Sequence, residues 1–297
     1  MTLLPKMTGV LIKIVSSLFY LVSGLLWKKI LPRGLNYHLI FYRTIFSILF
    51  SLVVISFFSF LVEDGVSLNR FFKASFEDWL FAAAICFFSF YGLYYFTNAL
   101  KHGRYTVVAP FISMAALFSF VTAYFLYDEA VGMNAILSFL LLFGALVYHQ
   151  FTYLKTFRLS KEIYLCLLAS LFWGVSFVLY PISIKTFGVY NFSLILEVCV
   201  LLSCVYLAIL KENTLKLTLP NKGDLKVCFW IGLCVAGGNV GANYSLENIP
   251  IYLNIIIAVL FEAVMILAGL YWFKEKLRMR DWALVTGITV GTVLLML

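Results

Sequence analysis

Charge is scarce in this chain. Asp, Glu, Lys and Arg together make up 12% of its 297 residues, about half of the roughly 25% that a soluble domain carries. A water-facing surface of ordinary size cannot be built from so few. Histidine occurs three times, at His38, His102 and His149, too scattered to suggest a metal constellation. No phosphate-binding glycine loop, zinc-ligand cluster or nucleophile elbow is legible, so neither an enzyme nor a directly ATP-driven pump has motif support, and no cofactor is expected. Six cysteines are present, but Cys86, Cys166, Cys199, Cys204, Cys228 and Cys234 lie in or beside apolar runs without disulfide or metal-ligand spacing. They read as small buried hydrophobes.

What the chain does have is hydrocarbon. Hydrophobic residues reach 63% and phenylalanine alone occurs 30 times, more than a soluble core of this length can use. Apolar runs of about 20 residues, each sufficient for about 30 Å of bilayer core, follow one another with loops too short to fold alone. Ten spans are expected, at 7–27, 37–62, 79–100, 105–126, 131–152, 163–184, 190–210, 227–247, 251–273 and 281–297. Pro32, Gly34, Gly103, Pro220 and Pro250 punctuate their ends. The first run carries no convincing cleavage site and reads as a retained span. The net charge of +8 sits in short loops and forms no continuous stripe, which points to anionic lipid headgroups as neighbours and away from nucleic acid.

The chain also repeats itself. Ser17, Leu18, Phe19, Val22 and Ser23 recur as Ser170, Leu171, Phe172, Val175 and Ser176. Asp78, Gly92, Leu100, Glu129 and Met133 recur at one constant offset as Asp224, Gly238, Leu246, Glu275 and Met279. The expected architecture is therefore an all-α multi-pass membrane protein of ten helices in two five-helix repeats, 1–154 and 155–297. An odd number of spans per repeat inverts the second relative to the first. Loop charges agree: loops after the odd spans hold sixteen Lys and Arg, and the opposite side holds four. Repeat-related loops swap sign, Lys101 becoming Glu247 and Asp128 becoming Lys274. Since Lys and Arg favour the cytoplasmic side, both termini are expected to be extracytoplasmic.

This arrangement, with Trp173-Gly174 and an acidic residue after spans 4 and 9, resembles the EamA-like branch of the drug/metabolite transporter superfamily. The run from Asn98-Ala99-Leu100 through Pro110 to Asp128-Glu129, Gly132 and Gly144 resembles the end of one EamA repeat. The run from Tyr244-Ser245-Leu246 through Glu275 to Gly287 and Gly291 resembles it again. Arg43 and Glu197 also resemble positions where such proteins, chloramphenicol-sensitivity relatives included, carry those residues. The first repeat departs by having Tyr20-Leu21 in place of Trp-Gly, and the resemblance implies cytoplasmic termini where the loop charges imply the reverse.

Ionisable side chains in hydrocarbon cost at least about 2.5–3.5 kcal/mol at a span centre, so each calls for a reason. Arg43 and Glu197 occupy nearly matching places in the two repeats with opposite charge, each about two turns into its span. Inversion brings them in from opposite membrane faces, so they are expected to flank the midplane without meeting and to hold a zwitterionic solute or serve two gates. Glu262, near the middle of span 9, is the candidate proton-coupling site. Lys13 can reach the headgroups, and His149 beside Gln150 reads as interfacial.

Asn239 and Asn243 stand one helical turn apart on one face of span 8, a candidate hydrogen-bonding wall, among Gly237, Gly238 and Gly241, which read as packing glycines. Tyr20 and its repeat partner Trp173 are candidate pocket aromatics, and Tyr94 and Asn98, with Tyr91, form a stripe on span 3. The function expected is secondary-active transport, as an exporter, of a small polar or amphiphilic metabolite such as an amino acid or drug-like compound. It would operate by alternating access in a bacterial inner membrane, with lipids and a coupling proton as further partners. The alternative is a flippase for a lipid-linked substrate. Monomer and homodimer are both compatible with the sequence.

Overall fold

The computed structural model describes residues 3–61, 69–106, 108, 114–127, 132–154, 161–213, 217–276 and 279–296. Every regular element among the described residues is helical. In chain order these are α1 (Leu3–Ile30), α2 (Asn36–Leu61), the short α3 (Asn69–Lys73), α4 (Phe76–His102), α5 (Met114–Tyr127), α6 (Met133–Leu154), α7 (Lys161–Phe187), α8 (Val189–Glu212), α9 (Lys222–Asn248), α10 (Ile251–Phe273) and α11 (Met279–Met296). A helix falls on each expected span, with α3 additional. Among the described residues, α1, α2, α4, α7, α8 and α9 are long and apolar enough to cross a membrane. Without water to satisfy its amides, such a segment closes its hydrogen bonds within itself.

Local chemistry sets the helix ends. Pro32 lies in a 3-10 turn, Leu31–Arg33, that ends α1. Gly188 alone joins α7 to α8, at φ +83°, where a side chain would be strained. At the start of α4, Ser75 Oγ accepts from the Asp78 amide at 3.2 Å while Asp78 Oδ2 accepts from the Ser75 amide at 2.9 Å. Asn221 and Asp224 form a similar box at the start of α9, where Asn221 Oδ1 accepts from the Asp224 amide at 2.8 Å. Both boxes sit at positions matched by the internal repeat. In the second, Asp224 also accepts from Arg33 at 3.0 Å.

The chain divides into two compact units, each drawing on both halves of the sequence: residues 1–94 with 179–250, and residues 95–178 with 251–297. In the first unit, α9 packs on α1, α2 and α8. The α9 glycines do serve as packing positions. Gly238 lies under the Tyr20 ring and Gly241 against Ser16 and Ile12 of α1, while Gly237 faces Phe19. Gly232 brings the α9 backbone so close to α2 that an added Cβ would stand 2.7 Å from the Arg43 carbonyl oxygen. An apolar cluster of Ile184, Phe187, Val189, Phe192 and Ile195 with Cys86 and Cys199 fills the space beneath α4.

In the second unit, α11 packs on α6 and α10, and Ser119 Oγ donates to the Gly174 carbonyl at 2.9 Å. All six cysteines are buried and unpaired.

Polarity along α2 runs opposite to that of a water-soluble helix. Leu49, Val53 and Phe57 are more than half exposed, while Arg43, Thr44, Ser47 and Ser51 are buried. A helix that shows hydrocarbon outward and hides its polar stripe is arranged for a lipid surround.

Candidate functional site

The polar interior of the first unit is built around two charges. Arg43 Nη1 donates to Glu197 Oε2 at 2.6 Å, and the two side chains are 3% and 1% exposed. Asn239 Nδ2 donates to the other carboxylate oxygen at 2.7 Å. Tyr20 in turn donates its hydroxyl to Asn239 Oδ1 at 2.6 Å. One side chain from each of α1, α9, α8 and α2 thus forms a continuous chain from phenol to amide to carboxylate to guanidinium.

A second rung lies one turn along α8 and α9, where Asn243 Nδ2 donates to Ser193 Oγ at 2.8 Å. Ser16, one turn from Tyr20, donates to the Gly238 carbonyl at 2.7 Å. The sequence therefore selected Arg43, Glu197, Asn239, Asn243 and Tyr20 from four helices, and all five lie in this one interior.

Their relation differs from expectation in one respect: Arg43 and Glu197 meet. The contacts that set helix register explain why. Arg33 pairs with Asp224, Cys228 Sγ lies 3.8 Å from the Leu39 carbonyl, and Gly232 abuts Arg43 and Ser47, so α2 and α9 run parallel. Tyr37 donates to Glu212 at 2.5 Å, and from there α8 runs back along α2 in the opposite sense. Glu197 stands fifteen residues before Glu212, about 22 Å along the axis at 1.5 Å per residue. On either register, Glu197 and Asn239 come level with residues 50–52 of α2. The 2.6 Å contact is made across the interior by the reach of the arginine arm. The expectation that the charges would stand apart placed each at the depth of its own Cα and left out the length of the arginine arm.

The pair is not fully satisfied. Arg43 Nε has no hydrogen-bond partner among the described residues, and neither do Ser47 Oγ and Ser51 Oγ on the same helix. Each is buried, with Ser47 at 0% and Ser51 and Arg43 at 2% exposure. A buried donor left unpaired costs about 1–3 kcal/mol. Three on one helix face call for an explanation.

Other candidates lie elsewhere. Tyr94 accepts from Lys211, whose ammonium also sits 4.7 Å from the Tyr94 ring centroid and 5.8 Å from that of Tyr37. His38 Nε2 stands 3.3 Å from Glu212 Oε1, to which Tyr37 also donates. Tyr94 thus belongs to a polar cluster where α2 begins and α8 ends. Trp173 and Asn98 fall in the second unit, where Trp173 packs on Phe96 and Phe177 with ring centroids 5.2 and 6.2 Å away. Glu262 lies within α10, and its side chain is outside the described residues, as is that of His149.

In the second unit the acid that follows α10 has a defined task. Glu275 accepts from the Tyr105 and Thr106 amides at 3.0 and 2.9 Å and from Thr106 Oγ1 at 2.6 Å. A carboxylate so placed satisfies orphan amides.

These features can be set beside known proteins. A family model described as the EamA-like transporter family matches residues 160–297. Those residues belong to the EamA-like transporters. The match over these residues agrees with the sequence resemblance to the drug/metabolite transporter superfamily, and the membrane-length helices agree with a multi-pass membrane protein. EamA members are transporters and not enzymes. No curated protein matches the chain. A solved structure described only as "Crystal structure of protein" superposes with a TM-score of 0.69 over 97% of this chain and 96% of its own, at 14% identity, which speaks for a shared fold alone.

Ser47, Ser51 and the Tyr37–His38–Glu212 cluster were missed as candidates. The i, i+4, i+8 spacing of Arg43, Ser47 and Ser51 was a legible signal, because a polar stripe of that period inside an apolar helix needs a polar neighbour.

Proposed function

We propose that this EamA protein is a secondary-active exporter of a small polar or amphiphilic metabolite, such as an amino acid or drug-like compound, and that the Arg43–Glu197–Asn239–Tyr20 chain is where the solute binds. The reading rests on the buried ion pair inside membrane-length helices, each charge about two turns from its helix start, in a chain that resembles EamA transporters. A buried pair contributes little net stability over apolar residues of similar size, so structure alone does not account for keeping it in hydrocarbon. An arriving solute with charges of both signs replaces each partner's counter-charge, and its departure lets the pair close again. The EamA assignment and the matched capping boxes of Asp78 and Asp224 support two inverted repeats, 1–154 and 155–297, contributing ten spans and alternating access between the two faces. Loop charges favour extracytoplasmic termini in a bacterial inner membrane, and mid-span Glu262 is the group assigned to proton coupling.

The test is solute flux in proteoliposomes loaded with a labelled metabolite pool, with and without an imposed proton gradient. Wild-type protein is expected to release part of the pool, and Glu262→Gln to lose the response to the gradient while retaining exchange. Absence of release from any pool by folded wild-type protein would sink the proposal. A reporter fused after Leu297 checks orientation: activity confined to the cytoplasm would reverse it.

A further inference from the structure

The unpartnered hydroxyls on α2, which Ser183 Oγ of α7 joins, differ from five other helix hydroxyls of this protein. Thr44, Ser193, Ser203, Thr122 and Ser176 each donate to the carbonyl four residues back in their own helices, at 2.6–2.8 Å. That is the usual refuge for a hydroxyl inside an apolar helix. Ser47 and Ser51 do not take it and, among the described residues, find no other partner. They share a face with Arg43, whose Nε is equally buried and equally unpartnered.

We propose that Arg43 Nε, Ser47 Oγ and Ser51 Oγ form an oxyanion subsite that takes the carboxylate of an amino-carboxylate solute. This rests on the transport reading above and assigns that solute's class and orientation. Guanidinium Nε–H and two hydroxyls are all donors, and a carboxylate offers several acceptor lone pairs. Charge balance narrows the class. Arg43 and Glu197 already neutralise one another, so a phosphate dianion brings two uncompensated charges into a buried site. A zwitterion brings none. Its ammonium falls to the side of Glu197 and the Asn239 and Asn243 amide oxygens, and its carboxylate to the side of the α2 hydroxyls.

Thermal unfolding of the purified full chain in detergent tests this before the solute itself is identified. The probes are an equimolar mixture of L-alanine, L-serine, L-leucine and L-phenylalanine, the mixture of their primary amides, sodium phosphate and sodium chloride, all at equal ionic strength. The free acids are expected to raise the unfolding temperature above every other condition. The Ser47→Ala/Ser51→Ala protein is expected to bind the acids roughly tenfold more weakly, as befits lost hydrogen bonds to a charged group. Ser203→Ala, which removes a self-bonded hydroxyl from the same unit, is expected to leave the response intact.

Equal stabilisation by acids and amides overturns the proposal, as does stabilisation by phosphate alone or an undiminished response in the double variant. The acid-to-amide contrast in wild-type protein and the two single serine variants keep the question decidable if the double variant does not fold. Acid-specific binding in protein that moves no labelled amino acid through vesicles refutes the transport reading and leaves the subsite standing. Flux that treats acids and amides alike does the reverse.

Discussion

Two glutamates of this protein are held by donors from distant parts of the chain, and their settings differ in kind. Glu275, in the second unit, is met by two backbone amides and one hydroxyl from Tyr105 and Thr106. Glu197, in the first, is met among the described residues by side chains alone, Arg43 and Asn239, and one of those keeps an unused donor. Backbone amides cannot turn to another partner unless the chain itself moves, so Glu275 is a fixture. Side chains can turn to another partner, so Glu197 is a partner that can be exchanged. Saturation by backbone marks a structural acid, and side-chain donors with spare capacity mark one available to a ligand.

The largest effect expected from this contrast comes from Glu197→Ala. It leaves the Arg43 charge buried and unanswered, at a cost of about 3–5 kcal/mol, which shows as a sharp fall in unfolding temperature together with loss of flux. Exchanging the two residues, Arg43→Glu with Glu197→Arg, is expected to recover much of the stability and little of the flux, since the α2 hydroxyls then adjoin an acid. Stability unchanged in Glu197→Ala would mean that the pair is not buried as described.

Glu275→Ala is expected to cost less, about 0.5–2 kcal/mol as for a lost helix cap. Flux per folded molecule should stay near the wild-type value. Should flux collapse while the protein remains folded, Glu275 would have to be regrouped with Glu197 and the contrast abandoned.

How much of this was open to a reader of the sequence follows from what each inference required. Helix positions needed only the lengths of apolar runs and breakers such as Pro32 and Pro250, all local. The importance of Arg43 and Glu197 needed only the cost of charge in hydrocarbon. Their direct contact needed the register of α2 against α8 and α9, which depends on pairings such as Leu39 with Cys228 that no local pattern encodes. Glu275 was legible as a family-like acid, but its task depends on amides 169 and 170 residues away. Trp173 was chosen as an aromatic near a span centre, and Tyr94 as part of a polar stripe on span 3. Each found company elsewhere, Tyr94 with Lys211 and Trp173 with Phe96.

The smallest effects come from deleting one hydroxyl on each side of the comparison, and they are the most discriminating. Thr106→Val removes a donor to Glu275 and leaves the two amides in place, while Tyr20→Phe removes the donor that holds Asn239 against Glu197. Each loses one hydrogen bond, so both are expected to cost about 0.5–1.5 kcal/mol. Unfolding temperature alone therefore cannot tell them apart. Flux can, because only the Tyr20 hydroxyl belongs to the chain proposed to bind the solute: its loss is expected to free the Asn239 amide to turn and raise the KM for transport, while Thr106→Val is expected to leave KM unchanged. Matching KM values in the two variants would place Tyr20 with the fixtures and confine the exchangeable part of the site to Arg43, Glu197 and the α2 hydroxyls.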